Sequence, residues 1–245
     1  AGCGSSASTS SSSSSSKSDG KQVTLRLSDG QPKGYVTIKA DEKFAKDVQA
    51  KTKGRVKIQV YGGGQLGDEK SVLEQVQFGA IDAIRVSVGP VAEFNKSIGV
   101  LALPYIFKDK DQMFRVLDGP VGDKLIKDME TNSKFVGLCW FDAGSRSFYN
   151  SKRDIKTPDD LKGLKIRVQE SKPMMDMVKY LGASATPMGQ NDIYSGLQSG
   201  VVDGAENNWQ SYVSMNHYQV AKYFTLDEHT RLPELILFSK SSFDK

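Results

Sequence analysis

The chain has 245 residues, 38% of them hydrophobic and 25% charged, with a net charge of +4 at pH 7. That length can hold one large or two small domains with real cores, and the composition fits a soluble globular protein. Lysines are scattered singly rather than in blocks, which argues against nucleic acid, and no apolar run approaches the roughly 20 residues of a membrane helix.

Ala1-Gly2-Cys3-Gly4 opens the chain, followed by an almost unbroken serine tract to Ser18. Such a coil is flexible and builds no core; about 18 residues of it would span about 20–25 Å. The small-small-Cys triplet resembles the end of a bacterial lipoprotein signal, with Cys3 the lipidated residue and 1–20 an anchor and tether. The alternative is a stray cysteine in a tail. Cys139, the second of two cysteines, lies in the apolar run Phe135–Phe141. A buried strand is expected there, with no disulfide and no metal site.

Val23–Leu27 alternates as a strand. Ala40, Phe44, Ala45 and Val48 recur at helical spacing, predicting a helix over 35–52 that ends near Gly54. Arg55–Tyr61 alternates strictly as a second strand. A helix over 68–78, a strand over 81–88, a short helix at 90–94, a helix over 111–130 and a strand over 135–141 follow. This β/α alternation predicts a mostly parallel sheet. Near Ala143 the character changes, and Ser145–Asn150 reads as a crossover into a second lobe. There 164–168, 183–185 and 201–204 are expected as strands, and Met174, Met177, Val178 and Leu181 line the buried face of a helix. After Pro233 the chain returns to the first lobe through a strand at 234–238. The expected fold is therefore α/β with two lobes, each a mostly parallel sheet flanked by helices, around a ligand cleft. Lobe I takes 21–142 plus 234–245, and lobe II takes 143–233.

Gly62-Gly63-Gly64-Gln65-Leu66-Gly67 satisfies a dinucleotide fingerprint, with Asp82 twenty residues after Gly62. A nucleotide-dependent oxidoreductase is the enzyme alternative this raises. The context argues against it: the acid opens a strand instead of ending one, and a helix precedes the glycine-bearing strand. No other catalytic set stands out. His217 and His229 lack zinc spacing, and Gly144-Ser145-Arg146-Ser147 is not a nucleophile elbow.

Arginines carry the stronger signal. Arg167 lies between apolar neighbours in Lys165-Ile166-Arg167-Val168, where an arginine is seldom buried without an anion. Its planar fork suits a carboxylate, either a ligand's or an internal Asp or Glu. Arg85, beside Ser87 in Ala83–Ser87, reads as a polar pocket wall or an edge-strand charge. Asn207, Asn208 and Trp209 follow a short strand; amides can both donate and accept. Trp209, Trp140 and Phe148 offer an apolar face for a sugar ring, or plain core packing. Gln169 and Glu170 can reach ligand hydroxyls or cap the next helix.

The order Asp159-Asp160-Leu161-Lys162-Gly163-Leu164-Lys165-Ile166-Arg167-Val168, then Leu181–Met188, then Leu197–Asn208 resembles the extracytoplasmic substrate-binding subunits of TRAP (tripartite, ATP-independent, periplasmic) transporters. The resemblance runs from about Val23 to the end. It implies capture of an organic acid without catalysis or cofactor, lobe closure, and delivery to the small and large membrane subunits of a permease. It implies that Arg167 binds the substrate carboxylate and that Arg146, in Gly144–Phe148, is a second family arginine at the lobe crossover; a hinge salt bridge is the alternative for Arg146. Leu226–Glu234 resembles members that take uronates or related hexonates, which favours a sugar acid over a C4-dicarboxylate. Tyr35 and Gln190 depart from commoner patterns. Family members run several elements longer, so a truncated chain is expected.

Overall fold

The computed structural model describes residues 21–244, so the tract holding Cys3 lies outside the described residues. Strands and helices follow in the order β1 (Val23–Asp29), α1 (Val36–Lys51), β2 (Val56–Tyr61), α2 (Glu69–Gln77), β3 (Ala83–Ser87), α3 (Val88–Val91), α4 (Lys110–Leu117), α5 (Pro120–Ser133), β4 (Phe135–Asn150), β5 (Lys165–Val168), α6 (Lys172–Tyr180), β6 (Ser184–Pro187), α7 (Ile193–Ser199), β7 (Gly204–Asn208), α8 (Trp209–Ser214), β8 (Tyr223–Ser239) and α9 (Lys240–Phe243). The single helix expected over 111–130 is two, because Asp118-Gly119-Pro120 breaks it: Pro120 cannot continue α4 but starts α5 at its first turn.

The fold is two-lobed α/β, as expected, but its lobes share one sheet. Eight strands pair in the order β2-β1-β3-β8-β4-β7-β5-β6. The outer triplets β2-β1-β3 and β7-β5-β6 are parallel. The long β4 and β8 join them as an antiparallel pair. The strands expected at 135–141 and 145–150 are thus one strand, bulged between Asp142 and Ser145, with Gly144 at φ +81° in the turn of chain. Likewise the expected strand at 234–238 is the last part of β8.

Register gives the two triplets opposite senses. β3 runs antiparallel to β8, β8 to β4, and β4 to β7. β3 pairs with Glu234–Phe238, whereas β7 pairs with Arg146–Asn150. The carboxyl ends of the triplets therefore face each other across the stretch 142–146 of β4 and 230–234 of β8. Loops beyond parallel strands are where α/β sheets bind ligands, and here two such sets converge.

The largest apolar cluster includes Val72, Leu73, Val86, Ile166, Val168, Met174 and Met177. The methionine face of α6 is accordingly core packing. Cys139 is exposed rather than buried. β7 pairs only with Arg146–Asn150, so the first half of β4 is an edge with one neighbour, and its apolar run is covered on fewer sides than a central strand. Among the described residues, no helix is long and apolar enough to cross a membrane.

Candidate functional site

Residues from both triplets meet where the strand ends converge. Gln31, two residues past β1, donates to Ser211 Oγ at 3.3 Å and accepts from Gln190 at 3.1 Å. The Tyr35 hydroxyl lies 3.4 Å from both Asn208 Oδ1 and Ser211 Oγ. Ser87 Oγ donates to Gln169 Oε1 at 3.3 Å, and Asn191 donates to the Gly63 carbonyl at 3.3 Å. Tyr35 and Gln190, which depart from the commoner patterns, are thus at this meeting point.

Arg85 is buried in the middle of β3 and pairs with Asp29 and, at 2.7 Å, with Glu234. Burial opposes ionisation of Asp29, but the Arg85 guanidinium outweighs it and holds that carboxyl below its ordinary value. The strand is central, flanked by β1 and β8, so Arg85 is not an edge charge. Its guanidinium is paired with internal acids in a buried ion-pair network. Asp41 of α1 lies against this network, fully buried, with neither carboxylate oxygen hydrogen-bonded in good geometry. Burial and the Asp29 charge push its pKa up to about 8.

Arg146 is also internally paired. Its Nε donates to Glu206 Oε2 at 2.5 Å, Nη2 to Oε1 at 2.8 Å, and Nη1 to Asn207 Oδ1 at 3.1 Å. Burial disfavours the Glu206 charge, but Arg146 and His229 overcome it and bring the pKa down to about 2. Arg146 thus makes the crossover salt bridge.

Arg167 differs from both. It is 2% exposed, and among the described residues no carboxylate lies within ion-pair distance of it. Its Nε and Nη2 share one acceptor, the Met188 carbonyl, at 2.8 and 2.6 Å. Burial lowers its pKa, as desolvation of an uncompensated cation must. Glu206, whose charge acts on it from the adjacent strand, is already taken by Arg146.

Asn207 and Asn208 are buried within β7 rather than past it, because the strand spans Gly204–Asn208 and not 201–204. Asn207 Oδ1 accepts from Arg146, and Asn208 Oδ1 accepts from Ser211 N at 2.7 Å, capping α8. Gln169 is buried and Glu170 half-buried; neither side chain caps α6, whose N-cap is Ser171. Trp209 is 56% exposed on α8 against Tyr212 and Phe224. Phe148 is buried and stacks on His229 with centroids 4.3 Å apart. Trp140 packs against the main core. These three aromatics do not form one sugar platform.

Sequence reasoning missed Glu69, at the start of α2. It approaches Ser87 N at 3.4 Å, and burial raises its pKa to about 7, with Arg85 and Arg167 pulling the other way. Only the Asp68 cap ahead of it marks the position in sequence, and that signals a helix start, not a site. Among the described residues, no group of three or more His, Cys, Asp or Glu is placed to hold a metal ion.

The glycine fingerprint is a turn. The Gly63 and Gly64 amides donate to the Gln31 and Asp29 carbonyls at 2.7 and 3.3 Å, and the Gly67 amide donates to Gly64. Amides so used are not free to cradle a phosphate.

The sequence profile described as bacterial extracellular solute-binding protein, family 7, matches residues 27–245. A solute-binding protein of Chromohalobacter salexigens is 42% identical over 214 residues, covering 87% of this chain and 63% of that protein. The chain thus spans less than two thirds of that relative's length. A TRAP periplasmic solute-binding protein of Xanthobacter autotrophicus, with bound β-D-galacturonate, is 44% identical with a TM-score of 0.87, covering 90% of this chain and 73% of that one. One from Citrobacter koseri, with bound D-glucuronate, is 41% identical with a TM-score of 0.89, covering 91% and 75%. The chain belongs to the family 7 extracellular solute-binding proteins, the TRAP solute-binding family that its strand-end motifs resemble.

Proposed function

We propose that this protein captures a sugar acid, a hexuronate such as D-glucuronate or D-galacturonate, between its lobes and hands it to the small and large membrane subunits of a TRAP permease. Its function is binding, without catalysis or cofactor. The observation that carries this is Arg167: a buried guanidinium with no internal acid, at the end of a parallel strand. Burying a charge without a partner is costly, so a ligand carboxylate that supplies one is strongly favoured. Glu69, protonated or ionised near neutral pH, and the amides of Asn208, Gln31 and Gln190 supply acceptors and donors suited to sugar hydroxyls. The uronates bound by the Xanthobacter and Citrobacter relatives support the substrate class.

Lobe I is assigned residues 21–142 and 234–245, and lobe II residues 143–233, with the boundaries inside β4 and β8. Closure about the 142–146 and 230–234 stretches would bury the ligand. Cys3 is assigned as a lipid anchor holding the protein outside the cytoplasmic membrane; Cys3→Ser in the full precursor should release it from the membrane fraction.

The test is calorimetric titration with D-glucuronate, D-galacturonate, succinate and NAD. A uronate should bind most tightly, and Arg167→Ala should weaken it about 100-fold or more. If Arg167→Ala folds and binds within about threefold of the unaltered chain, the clamp is wrong. Dinucleotide binding would restore the oxidoreductase alternative.

A further inference from the structure

His229 sits in a bulge that the β4–β8 ladder leaves out. Register runs from Arg146↔Thr230 directly to Phe148↔Thr225, so Leu226–His229 loops out opposite Ser147. Glu228 takes a left-handed conformation, φ 47°, and its amide donates to Ser147 Oγ at 3.2 Å. This bulge turns the ring inward. Nδ1 lies 2.7 Å from Asp227 Oδ2 and Nε2 lies 3.4 Å from Glu206 Oε2. One ring face stacks on Phe148, whose amide donates to Asp227 Oδ1 at 2.9 Å. The loop at Tyr105 ties the bulge's backbone down: its amide donates to the His229 carbonyl at 2.9 Å, and its hydroxyl donates to the Asp227 carbonyl at 3.2 Å. A row of charges results, Asp227–His229–Glu206–Arg146, whose Glu206 and Arg146 act electrostatically on Arg167.

We infer that His229 is a positioning residue for anion capture: its proton fixes the charge of this row, and so makes ligand binding at Arg167 weaken as pH rises. With His229 protonated, two cations balance two carboxylates, and Arg167 is left as a net positive charge. With His229 neutral, Glu206 and Asp227 outnumber Arg146, and the surplus negative charge offsets Arg167. Two hydrogen-bonded carboxylates overcome the burial that opposes protonation, so the histidine pKa is raised above its ordinary value. Other charged groups near the bulge are Glu228 on β8, and Glu93, Lys96, Lys156, Lys172 and Asp176 around the groove that His229 lines. Lys172 pairs with Asp176.

The effect presupposes the Arg167 clamp proposed above. The experiment is therefore titration of D-glucuronate into the unaltered chain, His229→Gln, Asp227→Asn and Arg167→Ala, from about pH 5.5 to about pH 9, in buffers of different ionisation enthalpy. The unaltered chain should lose about tenfold in affinity across the titration of His229, with proton uptake on binding near its midpoint. His229→Gln should bind with a shallower profile, keeping only the part of the fall that ionisation of Glu69, whose pKa is raised to about 7 by burial, contributes at Arg167. Asp227→Asn should move the His229 part of the fall to lower pH. An unchanged slope in His229→Gln overturns the inference while leaving the clamp intact. Should His229→Gln not fold, an unshifted profile in Asp227→Asn, or no proton uptake by the unaltered chain, overturns it. Unweakened binding by Arg167→Ala, or no binding by the unaltered chain at any pH, overturns the clamp and this inference with it.

Discussion

Arg85 and Arg167 occupy like positions in opposite halves of the sheet, yet they sit in opposite circumstances. Each lies among apolar residues in a strand of a parallel triplet, and each is almost wholly buried. Arg85 brings its own acids, Asp29 and Glu234. Arg167 has a single backbone carbonyl. A buried guanidinium alone therefore does not single out a candidate; among the described residues, the lack of an ion-paired acid sets Arg167 apart. Arg146 makes the same point from the middle of the sheet, because Glu206 already answers its charge.

The comparison can be broken by substitution. The largest effect is expected at Arg85→Met, which leaves two buried carboxylates without a cation and should cost about 3–5 kcal/mol in urea unfolding. Arg167→Met orphans no acid. It should leave stability unchanged or raise it, while abolishing uronate binding by calorimetry. Equal destabilisation by the two substitutions would show that both arginines are structural.

Acid should act through Glu206. Its native pKa, about 2, is below its ordinary value of 4.5. The native state therefore binds this proton less readily than the unfolded chain. Its contribution is present above about pH 4.5 and is lost as pH falls toward about 2. Glu206→Gln should be less stable at neutral pH and should show a shallower loss over that window, read by chemical unfolding at stepped pH.

Asp41 has the opposite sign. Its native pKa is raised from 3.8 to about 8, so the folded state holds a proton that the unfolded chain releases. Stability therefore falls as pH climbs between those values. Asp41→Asn removes this penalty and should gain about 1–3 kcal/mol at mildly alkaline pH, with the gain vanishing near pH 4. A loss of stability at alkaline pH would mean that the carboxyl has a partner that the Arg85 cluster hides.

The smallest effect is reserved for the glycine turn. Gly64 has φ +68°, and a Cβ there would press on the Asn191 side chain. Gly64→Ala should cost about 1 kcal/mol from backbone strain, through thermal stability alone, with no dinucleotide affinity to lose.

Much of the element order was legible because periodicity is local. The alternation in Arg55–Tyr61, the helical spacing of Ala40, Phe44, Ala45 and Val48, and the turn at Gly62–Gly67 depend only on near neighbours. The strand holding Arg167 was legible for the same reason. The merging of 135–141 with 145–150 was not, since a bulge at Gly144 looks in sequence like a break between strands. Nor was the β7 boundary: Glu206-Asn207-Asn208 is polar, and polar residues suggest a loop unless a central strand is known to bury them.

By itself, the sequence determined that the chain is α/β, that two apolar strands and the lobe crossover carry arginines, and that its motifs resemble one binding family. Only the tertiary structure decided what those arginines do. Asp29 lies 56 residues from Arg85, and Glu206 lies 60 from Arg146. Whether a buried cation finds an acid depends on sheet order and register, which bring distant strands together. The seating of His229 between Asp227 and Glu206 is decided the same way, by a bulge that exists only once β8 has paired with β4.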